Sequence, residues 1–346
     1  GLCRPQCRLY PGCDPMTAFG AAILGCAGTI LSKSEISLYS EIQPFGFILF
    51  DRNLQSADQI RALCVSMREA AGHDAPIFID QEGGRVQRLR PPLARLWRPP
   101  LDDAAGPDPE RAFYLRGRLI AEDLRALGID GNCVPTLDIA RTDTHPVLRN
   151  RCYGTDRMTV VANGMAMVRG CQEGGVLPVM KHMPGHGLGT LDSHLELPRV
   201  AVSRNALETE DFAAFGSFSD LPMGMSAHLV FEAIDPRPAT TSPVMVDLIR
   251  RDIGFTGLLM TDDISMQALS GTVTERALAA RSAGCDVVLH CNGDFAEMQA
   301  LCAALGRMDP AAQARATAAL ATRQPPQPVD IAALEAEARS LNALLS

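Results

Sequence analysis

Short apolar runs alternate with amphipathic helical patterns along almost the whole chain. The runs lie at Ala21 to Cys26, Phe45 to Phe50, Pro76 to Ile79, Cys133 to Ile139, Val176 to Met180, Met223 to Ser226, Leu258 to Met260 and Val287 to Leu289, eight in all. Each is of strand length, and the stretches between them carry readable helix signals. Ser32 with Glu35, Ser56 with Gln59 and Thr272 with Glu275 have the spacing of a capping box. Ser242 before Pro243 predicts an N-cap followed by Pro at the first helical position. Ile60, Leu63, Cys64 and Met67 form one buried stripe at i, i+3, i+4 and i+7. Gly72, Gly128, Gly254 and Gly284 follow helical patterns where a left-handed residue ends the helix.

Strand, loop and helix repeated eight times without a linker predict an α/β protein, a single (β/α)8 TIM-like barrel, with a doubly wound open sheet as the alternative. Polar residues favour the barrel, because they follow the apolar runs: Asp80 after Ile79, Lys181 and His182 after Met180, His228 after Ala227, Asp262 after Thr261. They converge on one mouth only if the strands are parallel and closed. No GxGxxG or Walker sequence supports nucleotide binding. The barrel domain is expected to span 16–346, its tail returning to an outer helix from Ile331 to Leu345 after the Pro-rich Gln324 to Pro328. Residues 1–15, with Cys3, Cys7 and Cys13, read as a disordered leader before Met16.

Composition narrows the function. A net charge of −8, a pI near 5.4 and 5% aromatic residues argue against a nucleic-acid partner. The odd count of eleven Cys lacks paired CxxC spacing, and most sit in apolar segments, as small buried thiols of a reduced compartment do. The apolar run Ala18 to Leu31 is the one stretch open to confusion with an export signal; it is too short to span a membrane and is needed as the first strand.

The chemistry concentrates at residues 181 to 198, KHMPGHGLGTLDSHLELP. His182 and His186 stand four apart, with His194 as a third potential metal ligand, but Pro184 and Gly185 interrupt any helix that would align them. The segment reads instead as a loop presenting Lys181, His182, Asp192 and His194 from a rigid scaffold.

Five segments in order, DQEGGRVQRL (80 to 89), KHMPGHG (181 to 187), DSH (192 to 194), MSAH (225 to 228) and TDDISM (261 to 266), resemble glycoside hydrolase family 3. The likeness is to its bacterial single-domain β-N-acetylglucosaminidase branch, the NagZ type, and covers about residues 20 to 320. The resemblance implies that Asp262 is the nucleophile, and that His194, held by Asp192, is the acid/base. It further implies that Asp80, Arg88, Arg151, Lys181 and His182 bind the sugar. Around Arg151 the chain departs from the family, because Asn150 stands where an Asp is usual.

Acetal cleavage passes through an oxocarbenium-like state and needs a carboxylate beneath the anomeric carbon and a proton donor at the leaving oxygen. A His donor, with a reference pKa of about 6.5, needs no large upward shift to serve near neutrality. Asp192 beside it would fix its tautomer and stabilise its cation, as Asp does beside other catalytic histidines. Asp138 reads as structural, His228 is open between a packed and a functional role, and Asp263 has the alternative of capping the next helix.

The expected protein is thus a retaining exo-β-N-acetylglucosaminidase with no metal or organic cofactor. The resemblance implies a cytoplasmic role in peptidoglycan recycling on N-acetylglucosaminyl-anhydro-N-acetylmuramic acid, with or without its peptide. That carbohydrate is the expected partner, with neither nucleic acid nor membrane. The alternatives are a family 3 β-glucosidase, a non-catalytic muropeptide-binding barrel and a metal-dependent hydrolase.

Overall fold

The computed structural model describes residues 18–191 and 196–345. The expectations for the leader, Asp192 and His194 fall outside those residues.

Eight parallel strands make the barrel: β1 (Gly20–Leu24), β2 (Pro44–Leu49), β3 (Ile77–Ile79), β4 (Gly131–Asn132), β5 (Leu177–Met183), β6 (Met223–Ser226), β7 (Leu258–Met260) and β8 (Val288–His290). Each pairs with its sequence neighbour, and β8 pairs with β1. The seam between β7 and β8 closes through the Met260–Val287 bridge and the Asp286 amide, which donates to the Leu259 carbonyl at 2.8 Å. That closure excludes the open sheet. Thr261 completes the seam, its hydroxyl accepting the Leu289 amide at 3.0 Å.

Alternate strand residues fill the interior, among them Ala21, Ile23, Val179, Met223, Met225, Leu258, Met260, Val287 and Leu289. Their neighbours, Ala22, Leu24, Phe47, Ile77, Met180, Leu259 and Val288, pack against the surrounding helices. This is the period-2 geometry of a sheet covered on both faces.

The helices between strands are α1 (Lys33–Ile42), α2 (Ala57–Ala71), α3 (Pro109–Ala126), α4 (Arg157–Glu173), α5 (Asp211–Gly216), α6 (Pro243–Arg251) and α7 (Val273–Ala283), with α8 (Phe295–Leu305) after β8. The capping boxes of α1 and α7 form in full. At α2 only half forms: the Ser56 hydroxyl accepts from the Gln59 amide, but the Gln59 side chain turns to the Gln55 amide. Gly72 ends α2 at φ 71°.

Two predicted strands change. The fourth begins at Gly131, ahead of the predicted Cys133 start, and breaks before Pro135, which has no N–H for the ladder. Pairing resumes only locally, where the Leu137 amide donates to the Lys181 carbonyl at 2.8 Å. The fifth runs three residues past Met180 to Met183, so Lys181 and His182 lie inside β5 and not beyond its end.

A further helix, α9 (Pro310–Ala321), seals the N-terminal mouth. Its small face, Ala312, Ala316 and Ala319, joins the interior cluster. Arg315 on α9 and Arg250 on α6 bind Asp286 just before β8, at 2.6 Å each. Arg323 and Arg68 bind Asp130 just before β4, at 3.1 and 2.9 Å. The tail helix α10 (Ile331–Ser340) packs outside against α3 through Arg111–Glu337 at 2.6 Å, and its Glu335 also binds Arg95, in the loop ahead of α3, at 2.8 Å.

The eight described cysteines are all free and buried, and burial pushes thiols such as Cys171 and Cys302 up to about 12. No helix among the described residues is long and apolar enough to cross a membrane.

Candidate active site

At the C-terminal mouth a cleft enclosing about 870 Å³ of solvent-open space is lined by Asp80, Arg88, Arg151, Lys181, His182 and Asp262, six of the eight residues picked out by the sequence. Also lining it are Leu148 and Leu191, the latter the last described residue before Asp192.

The local chain explains how the first group is placed. After β3 the backbone stays extended through Gln81–Gly83, which sets Asp80 and Glu82 two residues apart, on one side of that stretch. Gly83, at φ 107°, leaves room that a Cβ would take from the Arg116 guanidinium. Arg116, fully buried and paired with Asp103 at 2.6 Å, uses that room to donate to the Glu82 carbonyl at 2.7 Å.

Five charged groups then lock together. Lys181 Nζ lies 2.8 Å from Asp80 Oδ1 and 2.6 Å from Glu82 Oε1. Arg88 reaches Asp80 Oδ2 at 3.3 Å with its guanidinium 5.0 Å from the centre of the Phe50 ring. Arg151 grips Glu82 with two bonds of 2.9 and 2.8 Å. Burial alone would raise the Asp80 and Glu82 carboxyls, but Lys181 with Arg88, and Arg151 with Lys181, outweigh it and hold both below the usual range. Burial would likewise discharge Lys181, yet Asp80 and Glu82 raise its pKa. The orientation of Arg151 is therefore set by Glu82, while Asn150 is exposed.

Arg151 also connects to a second group, its Nη2 lying 3.4 Å from His182 Nε2. His182 Nδ1 lies 2.7 Å from Asp138 Oδ2. Since Arg151 can only donate, Nε2 is the acceptor and Nδ1 carries the proton, the neutral tautomer. Asp138 Oδ1 accepts the His186 amide at 2.6 Å. Burial opposes ionisation of Asp138, but His182 more than compensates and keeps it low. Asp138, read from sequence as structural, thus fixes the ring that faces the cleft.

Asp262 stands apart. Its Oδ1 accepts the Asp263 amide at 2.8 Å, and among the described residues no Lys, Arg or His nitrogen comes within 4.0 Å of its carboxylate. Burial would raise its pKa, yet it is lowered by His228 and His182, then the Asp263 amide and Lys181. His228 is itself pushed towards neutrality by burial, so once it has lost its proton the amide and Lys181 carry that effect.

Asp263 turns away to cap the following turn, taking the Ser265 amide at 3.1 Å and hydroxyl at 2.7 Å. His228 lies fully buried behind it, its Nε2–H donating to the Asp263 carbonyl at 3.0 Å, with Thr240 Oγ1 2.8 Å from Nδ1. Neither lines the cleft.

The sequence reading missed Glu82, and it weighed His186 only as a metal ligand. Glu82 was legible in retrospect: a second acid two residues after Asp80, ahead of Gly83-Gly84, shares its side of an extended chain. His186 had no such signal, because its position depends on Asp138 meeting its amide across the fold.

The arrangement can bind a polyhydroxyl ligand through charged donors and acceptors, and it presents a lone ionised carboxylate to whatever the cleft holds. Residues 33–321 match the glycosyl hydrolase family 3 N-terminal domain. The chain is 39% identical over 282 residues to a protein named beta-hexosaminidase from Alkalilimnicola ehrlichii, covering 79% of this chain and 81% of that relative. The structure of native NagZ from Neisseria gonorrhoeae superimposes with a TM-score of 0.81 at 29% identity, over 94% of this chain and 98% of that one. A family 3 beta-N-acetylglucosaminidase from Paenibacillus sp. str. FPU-7 matches at TM-score 0.79 and 30% identity over 94% of this chain, which spans 62% of that longer protein.

Proposed function

The chain belongs to glycosyl hydrolase family 3 and is a glycoside hydrolase; from that premise we propose that it is a retaining exo-β-N-acetylglucosaminidase working through a glycosyl ester on Asp262. The observation that carries the reading is Asp262 itself: an ionised carboxylate just past β7, in the sugar-sized cleft, with no cation among the described residues to compete for its second oxygen. A nucleophile needs a free lone pair directed at the substrate. Asp80, Glu82 and Asp138 at this mouth are instead paired with Lys181, Arg88, Arg151 or a histidine.

In this mechanism the network of Asp80, Glu82, Arg88, Arg151, Lys181 and His182 holds the non-reducing sugar, with its charges already paired before substrate arrives. Asp262 attacks the anomeric carbon while His194, held by Asp192, protonates the leaving oxygen. The same imidazole then takes a proton from the water that opens the ester, so the configuration is retained. The roles of His194 and Asp192 rest on the sequence resemblance. The substrate we infer is N-acetylglucosaminyl-anhydro-N-acetylmuramic acid, with or without peptide, met in the cytoplasm during peptidoglycan recycling.

Mass spectrometry after a slow 2-fluoro or 5-fluoro glycoside tests the proposal. The label is expected on the peptide spanning Thr261 to Met266, at Asp262. Label on Asp263, or none with inverted product, overturns it. A panel of 4-nitrophenyl glycosides separates the hexosaminidase from a β-glucosidase.

A further inference from the structure

Among the described residues, one buried polar side chain lining the cleft, His186, has no polar partner on any of its side-chain nitrogens. Both ring nitrogens of His186 lack a hydrogen bond, on a residue 5% exposed whose side chain lines the cavity. An unpaired buried donor or acceptor costs about 1–3 kcal/mol, and such a group in a native site calls for an explanation. Its neighbours in the cleft are engaged: His182 with Asp138, Arg151 with Glu82, Lys181 with both acids.

The backbone holds this ring in place. The His186 amide is fixed by Asp138 and its carbonyl accepts the Gly189 amide at 2.8 Å. The Gly187 carbonyl takes the Thr144 hydroxyl at 2.5 Å, and the Gly189 carbonyl takes the His145 amide at 3.1 Å. A Cβ at Gly189 would stand 2.8 Å from His186 Nδ1, so a glycine is needed there for the loop backbone to pass this close to the ring. Burial, then the nearby His182, push the imidazole down to about 4, leaving one donor and one acceptor without charge near neutrality.

The lining divides by chemistry. Asp80, Arg88, Lys181 and Arg151 are charged groups suited to hydroxyls, whereas the cleft also holds the uncharged His186 with the aliphatic Val147, Leu148 and Leu191. A neutral amide carrying a methyl group suits that second set: the amide pairs with the imidazole and the methyl with the aliphatic side chains. We propose that His186 hydrogen-bonds the 2-acetamido group of the bound sugar and thereby sets the preference for an N-acetylhexosamine over a plain hexose. This rests on the acetamido-sugar reading above.

The test compares the full-length protein with His186→Gln, which keeps a donor and an acceptor, and His186→Phe, which keeps only bulk. Each is assayed on 4-nitrophenyl N-acetyl-β-glucosaminide and 4-nitrophenyl β-glucoside, and its Tm is recorded. The ratio of the two kcat/KM values is expected to fall roughly tenfold or more in the Phe protein. The glucoside rate should fall less than the acetamido-sugar rate, and Gln should retain most of the ratio. If Phe does not fold, His186→Ala is read the same way. A wild-type preference that survives loss of the ring, or equal losses on both substrates, overturns the role of His186 alone. A wild type with no preference for the acetamido sugar overturns the proposed function, and this inference with it.

Discussion

Both mouths of the barrel gather carboxylates and guanidinium groups, but they differ in what is left over. At the N-terminal mouth Asp286 receives Arg250, Arg315 and the Leu259 amide, and Asp130 receives Arg68, Arg323 and the Ile77 amide. Each acid is saturated, ties the start of one strand to its neighbour and anchors α9 across the opening. At the C-terminal mouth the acids around Lys181 are equally well paired, yet among the described residues Asp262 keeps an oxygen without a cation and His186 keeps two unpaired nitrogens. Saturated charge supports the fold. Unsaturated charge, tolerated only where something else will fill it, marks where chemistry happens.

Substitution can break the contrast most sharply at Asp262. Asp262→Asn should lower kcat by about 10⁴-fold or more, as removal of a nucleophile does, with a Tm close to that of the wild type. Steady-state assay beside thermal melting checks this; a large drop in Tm would place Asp262 among the structural acids. Next comes the proton donor. His194→Ala should slow poor leaving groups by roughly 10² to 10⁴ and acidic phenols much less in the glycosylation step, and azide should rescue turnover of the activated substrate. Equal losses across leaving groups would reduce His194 to positioning.

Arg88→Ala removes one charged contact from the paired side of the same mouth and should cost on the order of 1.5 to 3 kcal/mol in kcat/KM. An unchanged kcat/KM would mean the sugar does not sit there. The opposite mouth should respond the other way. Asp286→Asn leaves Arg250 and Arg315 partly exposed and short of their anion, so stability should fall by about 1–3 kcal/mol in urea titration while kcat/KM stays at the wild-type value. The smallest effect is on pH. Asp80, Glu82 and Asp138 have lowered pKa values, so their contribution to stability is present above the unfolded carboxyl value of about 4 and is lost as pH falls through the folded values. The urea midpoint should therefore hold near neutrality and drop in acid. Lys181→Met, lacking the cation that depresses two of them, should be less stable near neutrality and should lose less of its stability in acid.

Much of this was readable before any coordinates. The eight apolar runs, the full capping boxes of α1 and α7 and the stripe of Ile60, Leu63, Cys64 and Met67 depend on neighbours within a turn or a strand. The convergence of Asp80, Lys181, His182 and Asp262 was expected on the condition that the strands close, because closed parallel strands bring their C-terminal ends to one mouth. Less legible was the start of β4, where the apolar run begins two residues late and Pro135 interrupts pairing. The half-formed box at Ser56 was hidden too, since Gln59 had a competing amide at Gln55.

By itself the sequence determined the order of strands and helices and which ionisable residues stand near the ends of the strands, because local periodicity and capping act over a few positions. Tertiary structure decided how those residues pair. It set Glu82 between Lys181 and Arg151, Asp138 behind His182, α9 over the opposite mouth, and left Asp262 and His186 with capacity to spare. Those outcomes depend on distances between residues 29 to 193 positions apart, and charge pairing at 3 Å is fixed by where the packed backbone brings two groups, not by what stands beside them in the chain.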